Sequence, residues 1–365
     1  MSLRNRLVPP RSPSPPAVLD NCRGRGLFWG AREVEHVLDR LGRPLKSLRL
    51  SLTDRCNLRC VYCMPEESYV WLPRKDLLTF EEIEQVIRAF AQLGCHRVRL
   101  TGGEPLLRKD VPELVAKLAR HDLEDLALTT NGLLLPELAE PLKRAGLHRL
   151  TVSLDTLQPE RFRKLARREG LEKVLKGIEA ARRVGLPVKI DTVLIRGEND
   201  AEVEDLLAYA QSQQAELRFI EYMDVGGATR WQTEKVVPQA ELLQRLGPVT
   251  AEKGRGSAPA ERFRRSDGTI FGIVASVTQP FCGACDRARL TADGKLFTCL
   301  YSAYGLDLRE PLRNGQALTP LLEARWRDRR DRAAEQRAGL PDRGVLADAE
   351  KMREQPHLEM HTRGG

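Results

Sequence analysis

The chain has 365 residues, a formal net charge of +8, 30 % charged and 5 % aromatic residues, and eight cysteines. That length suffices for one large barrel with a smaller appendage, and no run of 18 or more apolar residues offers a membrane span. The first thirty residues lack an apolar secretory segment, so the cysteines are expected in a reducing, cytoplasmic setting, as metal ligands rather than disulfides.

Residues 1–38 read as a disordered basic arm, since Pro-Pro-Arg-Ser-Pro-Ser-Pro-Pro at 9–16 cannot build a core. An Arg-rich, acid-poor start also fits a transit peptide, a reading placed below a plain cationic extension. Ser47–Leu52 reads as a strand leading straight into a cysteine-rich loop. Thr79 and Glu82 form a capping box for a helix to about Leu93. Strands follow at 97–100, 126–129, 150–153, 188–195 and 217–221, with helices at 111–120, 136–145, 171–184 and 201–211. Six strands alternating with helices predict a parallel sheet with right-handed crossovers. The fold class is therefore α/β: a partial, open six-stranded βα barrel of the TIM type over 39–225, too short to close at eight strands. Residues 226–365 are expected as a smaller C-terminal domain, with short antiparallel strands between 247 and 275 and a long solvated helix over 319–337.

Chemistry-bearing residues collect at the strand ends, where βα barrels keep their active sites. These are the Cys56–Cys63 loop, Gly102-Gly-Glu-Pro105, Thr129-Thr-Asn-Gly132, Ser153-Leu-Asp155 and Arg218–Met223. Six cysteines form two triplets, Cys56-x3-Cys60-x2-Cys63 and Cys282-x2-Cys285-x13-Cys299. Three thiolates can hold three irons of a four-iron cluster and leave the fourth open. Structural zinc prefers four closed ligands, and neither a histidine nor a fourth cysteine lies near the first triplet. The second triplet alone fits zinc with an unidentified fourth ligand, or a cluster completed by a substrate atom. Cys22 and Cys95 read as a free thiol and a small buried hydrophobe. His357 and His361 stand four apart without a His-Glu-x-x-His arrangement and are set aside as metal ligands. Gly254-Arg-Gly256 lacks a Gly-Lys-Ser/Thr ending and reads as a turn, not a phosphate loop.

The first triplet, followed by a strand ending in Gly-Gly-Glu-Pro, resembles the radical S-adenosylmethionine superfamily. From about Asp39 onward the chain is similar to the GTP 3′,8-cyclase family of molybdenum cofactor biosynthesis. That resemblance is carried by Gly42-Arg-Pro-Leu45, the run Arg49–Pro65, Leu217–Val225, Cys285–Leu290 and a final Gly364-Gly365. It implies two 4Fe–4S clusters, one on Cys56, Cys60 and Cys63 and one on Cys282, Cys285 and Cys299. It further implies S-adenosylmethionine held by Tyr62, Gly103, Glu104, Ser153 and Met223. A 5′-deoxyadenosyl radical would take hydrogen from C3′ of GTP, and the resulting radical would attack C8. The guanine ring would approach the open iron of the second cluster. GTP demands fixed cations: Arg49, Arg97, Arg99, Lys189, Arg218, Arg287 and Arg289 are the candidates. Thr129 is a further contact, and Arg49, Arg287 and Arg289 are nearest the chemistry. The resemblance also implies a flavodoxin- or ferredoxin-type electron donor and a downstream cyclic pyranopterin monophosphate synthase. Neither a nucleic acid nor a membrane is expected as partner, and the oligomeric state, a homodimer included, is left open. The terminal glycines would thread toward the substrate pocket, although Arg363 stands where a hydrophobic residue is expected. Two other readings are a two-cluster radical enzyme modifying a peptide, against which the Arg-x-Arg after Cys285 speaks, and a non-enzymatic zinc-binding nucleic-acid module.

Overall fold

The computed structural model describes residues 36–364. The expected arm at 1–38 falls almost wholly outside them, as do Cys22 and Gly365. Strands and helices alternate through β1 (Ser47–Ser51), α1 (Phe80–Gln92), β2 (Arg97–Thr101), α2 (Val111–Leu118), β3 (Asp125–Thr130) and α3 (Leu135–Arg144). The series continues through β4 (Arg149–Ser153), α4 (Pro159–Ala166), α5 (Leu171–Arg183), β5 (Val188–Leu194), α6 (Val203–Ser212) and β6 (Glu216–Glu221). Helix α4 is additional to the expected series. It is short and charged, and its buried stripe is a single turn, Phe162, Leu165 and Ala166. Helix α1 begins as the capping box requires: Thr79 Oγ1 accepts from Glu82 N–H (3.2 Å) and the Glu82 carboxylate from Thr79 N–H (2.8 Å).

The strands alternate in a way that decides which face is core. Leu48, Leu50, Val98, Leu100, Leu126, Leu128, Leu150, Val152, Ile190, Leu217 and Phe219 are at most 1 % exposed and join one apolar cluster with the helices. The intervening Arg49, Arg99, Thr129, Thr151, Asp191 and Arg218 take the other face, because successive strand residues point to opposite sides. Parallel strands buried on both faces are usually apolar throughout. Here the inner face is polar, so it lines a lumen instead of filling a core.

Beyond residue 225, β7 (Val249–Ala251), β8 (Glu261–Arg265) and β9 (Ile270–Val274) form the expected antiparallel set. Strand β9 also pairs in parallel with β6, and β10 (Arg287–Leu290) pairs in parallel with β1. Strands β11 (Lys295–Phe297) and β12 (Leu306–Asp307) extend that edge antiparallel. The result is one open 12-stranded sheet in the order β12-β11-β10-β1-β2-β3-β4-β5-β6-β9-β8-β7. Residue 225 is therefore not a break in the sheet: the C-terminal part widens the six-stranded barrel at both edges. Helices α7 (Gln239–Leu246), α8 (Arg309–Arg313), α9 (Leu318–Arg327), α10 (Ala333–Ala338), α11 (Ala349–Glu354) and α12 (Met360–Arg363) complete the chain.

The long solvated helix expected over 319–337 is instead two helices, α9 and α10, with a break after Arg327. Helix α9 buries Leu318, Leu322 and Trp326, and the Trp326 indole donates to the Arg43 carbonyl (3.0 Å). Arg329 turns inward, its guanidinium 4.5 Å from the Trp326 ring, with 1 % of its side chain exposed. No described helix is long and apolar enough to cross a membrane.

Candidate active site

The first cysteine loop leaves the C-terminal end of β1 and is hemmed in on three sides. Gly103 N–H donates to the Thr53 carbonyl (2.8 Å) and Glu104 N–H to that of Arg55 (2.8 Å). A Cβ on Gly103 would strike the Arg55 carbonyl, and one on Gly227 would strike that of Cys63; glycine permits both approaches. The N–H groups flanking Cys60, those of Arg59 and Val61, donate to the last carbonyls of α4, Ala166 and Leu165 (2.9 Å each). Cys63 N–H turns back onto the Cys60 carbonyl (3.0 Å). Burial raises all three thiols, Cys56 to about 11, and for Cys60 and Cys63 the neighbouring cysteines push further in the same direction. Three desolvated thiols that resist ionisation together are a donor set that a cation would neutralise.

The second set lies at the other end of the same strands. Cys285 enters β10 at its N-terminal end, and Cys299 leaves β11, antiparallel to β10, at that end too. Arg43 Nη1 donates to the Cys282 carbonyl (2.8 Å) and Arg329 Nη1 to that of Cys285 (2.8 Å), while Arg329 Nη2 reaches Cys285 Sγ (3.2 Å). Asp39 anchors both arginines, 2.6 Å from Arg43 and 3.7 Å from Arg329. Burial works against the Cys285 thiolate, but Arg287 and Arg329 overcome it and bring this thiol down to about 7. Burial moves Cys282 and Cys299 upward. Among the described residues no three His, Cys, Asp or Glu side chains gather around one point. Each triplet offers the three-thiol donor set that a four-iron cluster takes with one iron left open.

Between them runs the five-residue β1, a rise of about 15 Å, whose lumen-facing residues are Ser47, Arg49 and Ser51, with the arginine midway. Arg49 stands level with Arg99 of β2 on one side and Arg289 of β10 on the other. Arg99 Nη1 donates to Thr129 Oγ1 (3.0 Å) and Thr151 Oγ1 (2.9 Å), and Arg218 Nη2 also reaches Thr151 Oγ1 (3.3 Å). Arg218 Nε lies 2.8 Å from Asp191 Oδ1, close enough for an ion pair but without hydrogen-bond alignment. Arg49, Arg99, Arg287 and Arg289 have no carboxylate within 4.0 Å among the described residues. Burial, then the neighbouring guanidinium groups, lowers Arg49, Arg99 and Arg289, the last to about 10. A crowd of like charges in a shielded lumen is relieved by a polyanion.

Not every expected cation joins this group. Arg97 has the right strand parity but sits at the N-terminal rim, about half exposed, with its Nε on Glu124 (3.0 Å). Lys189 is half-buried and paired with Glu216 (2.9 Å). Arg287 lies over the Phe281 ring and donates to the Ser257 carbonyl (3.1 Å), beside Cys285. Tyr62 and Met223 pack on one small apolar cluster at the mouth, with Val61 and Val193. Ser153 ends β4 beside Asp191. Glu104 is fully buried, and its oxygens accept from Leu106 N–H, Asn131 N–H and the Thr130 hydroxyl (3.0, 2.8 and 2.8 Å). Its first task is thus to bind the end of β3 to the loop after β2. His357 lies 2.7 Å from Asp293, and His361 packs on Tyr69 and Trp71; the two do not form a pair.

The C-terminal segment enters the lumen. Arg289 Nη1 (2.8 Å) and Arg49 Nη1 (3.3 Å) both donate to the Gly364 carbonyl. Gly364 has φ +65°, and a Cβ there would strike Thr101, so no other residue fits without displacement. Arg363, in place of the hydrophobic residue expected, is fully buried. Sequence reasoning named Asp155 only as part of a strand-end run, and passed over Thr151 and Asp191, although strand parity marks both as inward-facing. Arg43 stood in the Gly42-Arg-Pro-Leu45 run without a role assigned to it, and Arg329, which carries no local signal, was passed over.

Comparison with known proteins places these features. The pattern of the Radical SAM superfamily matches residues 50–210, and that of Molybdenum Cofactor Synthesis C matches 215–335. GTP 3′,8-cyclase 1 of Mycobacterium tuberculosis is 51 % identical over 342 residues, covering 90 % of this chain and 95 % of that protein. The GTP 3′,8-cyclase of Acidothermus cellulolyticus is 48 % identical over 337 residues, covering 87 % and 93 %. Streptococcus suis SuiB, solved with S-adenosylmethionine bound, has a TM-score of 0.57 at 17 % identity over 82 % of this chain and 71 % of that one, a likeness of fold.

Proposed function

This chain belongs to the GTP 3′,8-cyclase family of radical S-adenosylmethionine enzymes and converts GTP to (8S)-3′,8-cyclo-7,8-dihydroguanosine 5′-triphosphate, the first step of molybdenum cofactor biosynthesis; we propose that it does so with a 4Fe–4S cluster at each end of the arginine-lined lumen. The observation that carries this arrangement is the placing of two cysteine triplets at opposite ends of the paired β1 and β10, with Arg49, Arg99 and Arg289 between.

When bound, the first cluster and S-adenosylmethionine would supply the one-electron chemistry for removing a ribose hydrogen. Cys56, Cys60 and Cys63 would hold that cluster, and Cys282, Cys285 and Cys299 the second. Tyr62 and Met223 enclose the adenosine, Gly103 lets backbone approach the methionine part, and Glu104 and Ser153 complete its polar contacts. Arg49, Arg99, Arg218 and Arg289 clamp the triphosphate, and Arg287 and Thr129 orient its two ends. Arg97 and Lys189 form an outer rim that exchanges its carboxylate partners for phosphate. This clamp fixes the ribose toward the first loop and the base toward the second, and such orientation is the larger part of catalysis in a reaction between distant atoms. Residues 39–225 serve the adenosyl chemistry and 226–365 the second cluster and the tail. A low-potential flavodoxin- or ferredoxin-type donor supplies electrons, a pyranopterin-forming synthase consumes the product, and the setting is cytoplasmic.

Anaerobic incubation with GTP, S-adenosylmethionine and dithionite tests the arrangement, with iron and sulfide analysis of the same protein. Iron and sulfide for two cubanes, with 5′-deoxyadenosine and a cyclised nucleotide, are expected. Iron for one cubane alongside full turnover would exclude the second cluster.

A further inference from the structure

Burying a guanidinium is unfavourable unless its charge and donors are met, and Arg363 is buried completely. Its Nη1 donates to the Leu300 carbonyl (2.6 Å), its Nε to the His357 carbonyl, and its guanidinium lies 4.1 Å from the Phe297 ring centre. Leu300 directly follows Cys299, and Phe297 is paired with Arg289 in the β10–β11 ladder. The remaining nitrogen, Nη2, is buried without a partner among the described residues. Further back, Met360 N–H donates to the Gly226 carbonyl (2.9 Å), and His361 packs edge-on against Tyr69 (5.3 Å) and Trp71 (6.0 Å). The tail is thus tied at one end to the flank of the first cysteine loop. At the other end it is tied, through one side chain, to the second.

We infer that Arg363 is a positioning residue that makes seating of the C-terminal tail conditional on the Cys299–Leu300 loop. The Leu300 carbonyl is presented to Arg363 only while Cys299 is held in place. A hydrophobic residue at 363 would pack on Phe297 without sensing that loop. Seating the tail sets the Gly364 carbonyl between Arg49 and Arg289, so the state of the second cysteine set is relayed to two of the lumen cations. The relation is reciprocal: a seated Arg363 holds Cys299 in its ligating position. The metal arm of this inference rests on the reading of Cys282, Cys285 and Cys299 as iron ligands, whereas the clamp itself needs no metal.

Hydrogen–deuterium exchange of the full chain, read by mass spectrometry over residues 356–364, tests it. Arg363→Ala should speed exchange of the tail on the order of ten- to a hundredfold, since charge-assisted hydrogen bonds are lost, with far-ultraviolet dichroism unchanged. Cys299→Ser should speed it similarly in the native chain but not in Arg363→Ile, whose tail no longer senses the loop. Unchanged tail exchange in Arg363→Ala, or equal loosening by Cys299→Ser in the native and Arg363→Ile backgrounds, would overturn the clamp. Iron and sulfide content of the same samples reads the metal assignment separately: a second site without iron, with Arg363→Ala loosening the tail and Cys299→Ser leaving it unchanged, removes the ligand reading and the coupling to it, and leaves only the Arg363–Leu300 contact.

Discussion

Tyr62 and Asp155 are joined by a 2.7 Å hydrogen bond, the phenol donating to the carboxylate Oδ2. Asp155 Oδ1 accepts from Val193 N–H (2.9 Å), so a single carboxylate ties the cysteine loop to β5. Burial pushes Asp155 up to about 6 from an ordinary 3.8, against the pull of those two hydrogen bonds. A raised acid contributes stability that is complete below its ordinary value and is lost as pH rises through the folded one. The native chain should therefore lose thermal stability relative to Asp155→Asn as pH is taken from about 5 to about 7. S-adenosylmethionine binding should move the other way, weakening below pH 6 as the neutral acid releases Tyr62, and Asp155→Asn should abolish that dependence. Anaerobic calorimetry across this range checks both trends.

Arg289 shares the Gly364 carbonyl with Arg49 and has no carboxylate partner among the described residues. Arg289→Ala should raise the KM for GTP by on the order of ten- to a hundredfold, the worth of one charge-assisted hydrogen bond to phosphate. S-adenosylmethionine cleavage without product should persist, because the first cysteine loop is untouched. Arg289→Lys should recover little, lacking the planar fork. Steady-state kinetics with separate assay of 5′-deoxyadenosine distinguishes these outcomes.

Gly103 and Gly227 press on the first cysteine loop from two sides, against the carbonyls of Arg55 and Cys63. A methyl group at either position cannot be absorbed by backbone, so Gly103→Ala and Gly227→Ala should each lose iron at the first site while retaining it at the second. Electron paramagnetic resonance of the reduced protein, with and without S-adenosylmethionine, would show which cluster remains. Equal loss at both sites would mean general unfolding.

Thr151 is completely buried and accepts from both Arg99 and Arg218. Thr151→Val keeps the shape and removes the acceptor, leaving two buried donors short of a partner. Stability should fall by about 1–3 kcal/mol, measurable by urea unfolding. Thr129→Val deprives only Arg99 and should cost less. Saturating GTP should narrow the gap between the two variants, because phosphate oxygens replace the missing hydroxyl.

Much of this could be read from local pattern. Leu48-Arg49-Leu50 and Val98-Arg99-Leu100 alternate with period two, and that period places leucine under the helices and arginine in the lumen wherever the strand lies. The same parity marks Arg97 as inward-facing but does not say that it stands at the rim beside Glu124, because position along the lumen depends on strand stagger. Arg329 was legible only as one of many charges in an apparently solvated helix. Its contact with Cys285 spans 44 residues and that of Arg43 with Cys282 spans 239, separations at which no spacing rule applies. The helix breaks after Arg327, and Arg329 lies inward against Trp326, whose indole donates to the Arg43 carbonyl, a tertiary arrangement that helix propensity does not foretell.

The β1–β10 pairing also sets an order of manufacture. A ribosome delivers Arg49 long before Arg289, and until residues 287–290 emerge β1 is a bare edge, its backbone groups open to any passing strand. One wall of the arginine-lined lumen comes into being only when this late strand is laid down. A polypeptide interrupted before residue 287 would lack Arg289 beside Arg49, and with it the tail carbonyl that the two share.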